Sequence, residues 1–275
     1  MSDRAGPGHV VFVGAGPGRA DLITLRGADR LRAAEVVLFD SLADPALREL
    51  APQARWIDVG KRGLRGVSHA LPGDSENTGQ ATINALLVKH ASEGRRVVRL
   101  KGGDPSIFGR LEEEIEALVE AGIAFEVVPG VSAAMAAAAT AGRPLTRRGS
   151  GRSVSLTTAM THDVGLRAGR HADTEVFYMA GKQLAGLSRS LLGAGWPGET
   201  PALVVSRAGW HDEVSSDHSV DSLGSATVLH AGRPTVVIVG AGAMALGAAP
   251  APAPAPAAAR VAGNGASHRS RKIRS

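Results

Sequence analysis

Short unbroken apolar runs recur along the chain, separated by longer segments with helical periodicity. Residues 10–13, 36–39, 56–59, 97–100 and 125–128 read as buried strands. Between them, apolar residues return at three- and four-residue spacing near 22–34, 81–93 and 111–121, which predicts helices. Strands that are apolar on both faces and linked by helices belong to a parallel sheet covered on both sides. After Pro129-Gly130 the pattern predicts an Ala-rich helix and further strands near 154–158, 176–179, 202–205 and 236–239. The Pro-Gly pair is a natural break, so the expected class is α/β with two halves of similar size, 9–129 and 130–245. A ligand is expected outside the carboxyl ends of the strands or in the cleft between the halves.

Composition narrows the chemistry. Three Trp, one Tyr and five Phe in 275 residues are too few for a base-stacking platform. The absence of cysteine excludes disulfides, thiolate zinc sites, iron–sulfur clusters and a Cys nucleophile. No apolar run approaches the ~18 residues that span a bilayer, and residues 1–10 lack the core of a signal peptide, so a cytoplasmic protein without membrane contact is expected. The net charge of +5 suggests nucleic acid only until it is located. Five of the 31 basic residues lie in the last 29 positions, which hold no acid; without them the body balances at 26 of each sign. That end alternates Ala and Pro before a Gly/Asn/Ser/Arg mixture, so 246–275 is expected to be a disordered basic tail rather than a nucleic-acid arm.

Three turns could carry a ligand. Gly14-Ala15-Gly16-Pro17-Gly18 follows the first strand, where glycines permit close approach of the backbone. Asp40 stands about where a dinucleotide fingerprint places its ribose-binding acid. However, Arg19 occupies the third glycine position and Pro17 removes an amide, so an NAD-dependent oxidoreductase is a poor fit. A tight turn without ligand remains open. Lys101-Gly102-Gly103-Asp104-Pro105 carries an acid that would repel phosphate; it suits a neutral or cationic ligand, or is simply a turn. In Pro129-Gly130-Val131-Ser132-Ala133, Ser132 is placed to cap the next helix, and the small side chains leave room for a flat ligand. Asp40 and Lys61, each at a strand end, could accept and donate a proton, or form a surface pair without a role. The nine histidines show no metal-ligand spacing, and no metal is expected.

Taken in order, VVFVGAGPG (10–18), VVLFD (36–40), VGKR (59–62), RVVRLKGGDP (96–105), VVPGVSAA (127–134), PLTRRG (144–149) and VFYM (176–179) resemble the tetrapyrrole methylase family over roughly residues 9–243. The resemblance implies a two-domain fold, largely parallel in the first sheet and mixed in the second, with a ligand cleft between them. It also implies a homodimer and S-adenosylmethionine as co-substrate. The implied activity is double C-methylation of the tetrapyrrole uroporphyrinogen III toward sirohaem or cobalamin, with another precorrin methyltransferase as the alternative. By position, Pro17, Gly102, Gly103, Asp104, Ile107, Ser132, Ala133, Met179 and Ala208 match cofactor contacts. Asp40 matches a proton acceptor and Lys61 a proton donor. A substrate with eight carboxylates calls for cations, and Arg62, Arg147 and Arg148 are the candidates. The chain departs from the family pattern in a long 62–79 connection, in Leu111-Glu112-Glu113-Glu114 after Arg110, over 155–162, and at Ser206.

Overall fold

A computed structural model describes residues 8–60, 76–160, 166 and 168–247. The first half forms β1 (His9–Gly14), α1 (Leu25–Arg32), β2 (Val36–Phe39), β3 (Arg55–Asp58), α2 (Glu76–Ser92), β4 (Arg96–Lys101), α3 (Leu111–Glu120) and β5 (Ala124–Val128). Its five strands are all parallel, in the order β3-β2-β4-β1-β5. Alternation along β1 explains why the strand is apolar throughout. Val11 and Val13 pack with Leu31 and Ala34 on one face, while Val10 and Phe12 pack with Leu87 and Leu118 on the other. The start of α1 is fixed by Thr24, whose hydroxyl accepts a hydrogen bond from the Gly27 amide at 3.1 Å.

The second half comprises α4 (Ala133–Thr140), β6 (Val154–Thr158), β7 (Thr174–Tyr178), α5 (Leu184–Gly193), β8 (Pro201–Ser206), β9 (Val214–Ser219) and β10 (Thr235–Gly240). The sheet order is β6-β7-β10-β8-β9; β6 and β7 are parallel and the other pairs antiparallel. On central β10, Val237 and Val239 face Leu184, Leu187 and Leu191 of α5, whereas Val236 and Ile238 face Ala134, Ala136 and Ala137 of α4. Alanines on α4 let that helix lie close to the sheet, which brings the turn before it against the ends of β7 and β8.

Two elements, α5 and β9, are absent from the sequence-based expectation. The remaining strands fall within two residues of their predicted positions. The 62–75 part of the long connection, positions 161 and 162, and the tail beyond Gly247 lie outside the described residues. Among the described residues no helix is long and apolar enough to cross a membrane.

Candidate active site

In a parallel sheet the carboxyl ends of neighbouring strands share one edge, so β1, β4 and β5 deliver their three glycine turns to the same place. The turns touch through main-chain atoms. A Cβ on Gly14 would lie 2.6 Å from Gly130 Cα, and one on Gly130 would lie 2.3 Å from the Gly103 carbonyl oxygen. The Gly103 amide donates to the Gly16 carbonyl at 2.8 Å. Across the halves, a Cβ on Gly18 would meet the Gly209 carbonyl carbon at 2.4 Å, and the Arg19 amide donates to the Gly209 carbonyl at 3.1 Å. These glycines therefore serve backbone-to-backbone packing. Gly103 differs: at φ +72° a Cβ there would meet no residue beyond its chain neighbours nearer than 3.9 Å, an ordinary contact distance to Val131 and Ser132, so the space before it is uncrowded.

That space is a cavity of about 330 Å³ between the edges of the two sheets. Asp40, Pro17, Gly102, Gly103, Asp104 and Ile107 line it from the first half. Ser132, Ala133, Met179 and Ala208 line it from the second. The fold thus gathers Asp40 and all nine positions matched to cofactor contacts around one cleft. Ser132 occupies the N-cap position of α4, but its side chain caps nothing. Its hydroxyl instead lies 2.8 Å from the Tyr178 hydroxyl, tying the turn to the end of β7. The expected capping role is corrected accordingly.

Asp104 is held by its neighbours. Oδ2 accepts from the Gly130 amide at 2.9 Å, and Oδ1 accepts from the Ser106 amide at 2.8 Å and from the Ser106 hydroxyl. Burial alone would raise its pKa, but the Ser106 hydroxyl and the Gly130 and Ser106 amides outweigh it and hold the carboxyl below its ordinary value. A depressed folded-state pKa contributes stability above the ordinary carboxylate pKa and loses it as pH falls through the folded one. The thermal-stability gap between wild type and Asp104→Asn is therefore expected to be widest near neutrality and to shrink below about pH 4, as read by melting scans across pH.

Backbone strain marks the same cleft. Among the described residues four non-glycine residues have left-handed φ: Phe108 (52°), Arg110 (53°), Met179 (57°) and Arg207 (54°). All four line the cavity. Such conformations cost of order 1–3 kcal/mol each and persist where surrounding structure over-determines them, typically at functional sites.

Further charged residues at the cleft have no role assigned from the sequence. Arg99 and Lys101, two apart on β4, point to one face and line the cavity, although they are only 4% and 3% exposed. Both bind Glu114 of α3, which is wholly buried: Arg99 Nε donates at 3.1 Å and Lys101 Nζ at 2.6 Å. The Lys101 ammonium is pushed below its ordinary pKa, first by burial and then by Arg99, with Glu114 opposing. At the rim, Arg110 forms a bidentate pair with Glu113, both contacts 2.7 Å. The available signal was the polar alternation of Arg99 and Lys101 inside an apolar strand.

Other expected residues are not gathered here. Neither Arg147 nor Arg148 lines the cavity. The Arg147 backbone bridges Gly151 and its guanidinium donates to the Met244 carbonyl, while Arg148 is exposed. Lys61 and Arg62 lie outside the described residues. Ser206 departs from the family pattern for a visible reason. It is buried, accepts from Arg233 Nε at 3.0 Å and contacts His230 Nδ1 at 2.9 Å; His230 Nε2 continues to Ser216. Burial, His218 and Arg233 lower the pKa of His230, in keeping with a neutral ring in this network.

Comparison with known proteins places the arrangement. Residues 9–223 match the family described as tetrapyrrole (corrin/porphyrin) methylases. The chain is 42% identical to the uroporphyrinogen-III C-methyltransferase of Pseudomonas aeruginosa, covering 73% of this chain and 80% of that one. It is 41% identical to siroheme synthase 1 of Pectobacterium atrosepticum, covering 86% of this chain and 48% of the relative, so it spans about half the length of the siroheme synthases it matches. Among solved structures, the Thermus thermophilus uroporphyrin-III C-methyltransferase complexed with S-adenyl homocysteine superposes with a TM-score of 0.70 at 32% identity, covering 85% and 97% of the two chains. Sequence and overall fold agree, and the chain belongs to the tetrapyrrole (corrin/porphyrin) methylase family.

Proposed function

We propose that the protein catalyses S-adenosylmethionine-dependent C-methylation of uroporphyrinogen III, with two methyl transfers giving precorrin-2. The observation that carries this is the convergence on one cleft of Asp40, the nine matched cofactor positions and the four non-glycine residues with left-handed φ among the described residues. The cleft fits the co-substrate in size and chemistry. Its volume of about 330 Å³ falls within the range of small-molecule sites, Gly103 leaves room for a ligand, and Asp104 offers a negative charge compatible with a cation. Bound there, S-adenosylmethionine supplies an electrophilic methyl group on a sulfonium. The chain's own contribution is positioning, followed by removal of the proton that the methylated ring system must shed. Asp40 Oδ1 accepts from the Leu42 amide at 3.0 Å, while Oδ2 lies 3.9 Å from Arg99 Nη1 and has no hydrogen bond among the described residues; Oδ2 is the oxygen proposed to take that proton. Lys61 is proposed as the proton donor.

The macrocycle is larger than the cavity, so part of it lies outside, and Arg62, Arg147 and Arg148 are kept as the proposed partners of its carboxylates although the last two do not line the cavity. Replacing Arg147 and Arg148 together by Ala is expected to raise KM for the macrocycle about tenfold, with S-adenosylhomocysteine affinity unchanged. An unchanged KM removes them from that role. Domains at 9–129 and 130–245, and a cytoplasmic homodimer, complete the proposal; light scattering on the purified protein tests the dimer. The deciding assay is incubation with uroporphyrinogen III and methyl-labelled S-adenosylmethionine. Mass analysis is expected to show one and then two added methyl groups; no added methyl overturns the assignment.

A further inference from the structure

The buried charges beneath the cleft are costly unless they are paired, because each ion taken from water loses several kcal/mol of solvation. Arg99 and Lys101 supply two cations, and Glu114 and Asp40 supply two carboxylates. Glu114 is saturated by donors: Arg99 Nε at 3.1 Å, Lys101 Nζ at 2.6 Å and Gln80 Nε2 at 3.3 Å. Arg99 is pinned twice more, through Nη1 to the Leu100 carbonyl at 3.0 Å and by its place on central β4. The same Nη1 is 3.9 Å from Asp40 Oδ2. Lys101 alone could neutralise Glu114, although it also feels the charge of Asp40; among the described residues the guanidinium is the one cation within 4 Å of Asp40, and it is held rigidly in that place.

We propose that Arg99, anchored by Glu114, is the positioning residue for Asp40. At 3.9 Å, beyond hydrogen-bond distance, its Nη1 orients the carboxylate through charge, while the Leu42 amide supplies the directional bond. This rests on the assignment of Asp40 as proton acceptor. Glu114 acts at one further remove, through Arg99, and neither residue is required to touch the substrate. The geometry is a strand-to-helix clamp: β4 offers the guanidinium, α3 holds its inner edge, and its outer edge steadies the loop that follows β2.

The test compares Arg99→Gln, Arg99→Lys and Glu114→Gln for methyl-transfer kcat, for KM, and for S-adenosylhomocysteine affinity by calorimetry. Arg99→Gln and Glu114→Gln are expected to lower kcat by about tenfold to a hundredfold, the scale of a misplaced catalytic group, with inhibitor affinity held within about threefold. Arg99→Lys is expected to recover part of the loss. Single-turnover measurements then place Arg99→Gln in an Asp40→Asn background, where no further loss is expected because the residue acts through Asp40. A kcat within about twofold of wild type in Arg99→Gln, or a loss of inhibitor affinity parallel to kcat, overturns the proposal. Additive losses in the double variant also overturn it. Wild-type turnover in Asp40→Asn alone would instead remove the proton-acceptor assignment, a separate failure. Should Glu114→Gln not fold, replacing Arg99 and Lys101 by Met and Glu114 by Leu together keeps the core volume without buried charge. That variant is expected to bind S-adenosylhomocysteine yet turn over poorly, and normal turnover in it counts against the proposal.

Discussion

Asp40→Asn is expected to lower methyl-transfer kcat by about 10²–10⁴-fold, the usual contribution of a positioned general base, while S-adenosylhomocysteine affinity changes by less than about threefold. Asparagine keeps the shape of the side chain and its contact with the Leu42 amide. It removes the charge and the oxygen that would take the proton. Isothermal titration and steady-state rates on the same preparation separate the two effects. Turnover equal to wild type would take Asp40 out of the mechanism and leave its ion pair with Arg99 as scaffold.

Gly103→Val is expected to do the reverse, abolishing inhibitor binding by a factor of about a hundred or more through lost pocket volume and strain while the chain stays folded. Beyond its chain neighbours, no protein atom lies nearer than 3.9 Å to a Cβ at this position, so the fold itself accommodates the first carbon. The isopropyl group projects into the cleft, and the left-handed backbone at φ +72° is unfavourable for a β-branched residue. The neighbouring Gly102 provides the contrast. A Cβ there would lie 2.5 Å from Leu42 Cβ, so its replacement is expected to perturb the loop after β2 before it affects any ligand. Tight binding of S-adenosylhomocysteine by a folded Gly103→Val protein would show that the turn is structural only.

Much of the first half was legible because its parallel strands are buried on both faces and therefore read as plain apolar runs. The second half was harder. The β9 sequence Val-Ser-Ser-Asp-His-Ser has one apolar residue; it is an edge strand paired only with β8 through main-chain bonds, so side-chain pattern carries no trace of it. In α5, Leu184, Leu187 and Leu191 do keep helical spacing, but Gly186 and Gly193 dilute the signal. The glycine turns were recognisable as points of close approach, yet what approaches is another turn distant in the chain, and no local pattern encodes that. The same limit applies to Arg99 and Lys101: their anomaly in an apolar strand is local, while the carboxylate that explains them lies on a helix. Left-handed Met179 and Arg207 could not be anticipated, since only glycine advertises that conformation.

The main-chain seam between Gly14, Gly103 and Gly130 has an evolutionary corollary. Because the turns grip each other largely through the main chain, with Asp104 alone reaching across to the Gly130 amide, the scaffold's integrity depends little on most of the residues that face the cleft. Phe108 and Trp210 can drift, reshaping the walls, without loosening the joint that keeps them in register. A lineage built this way can try new macrocycles by altering a few wall residues, while the seam glycines Gly14, Gly18 and Gly130 stay locked.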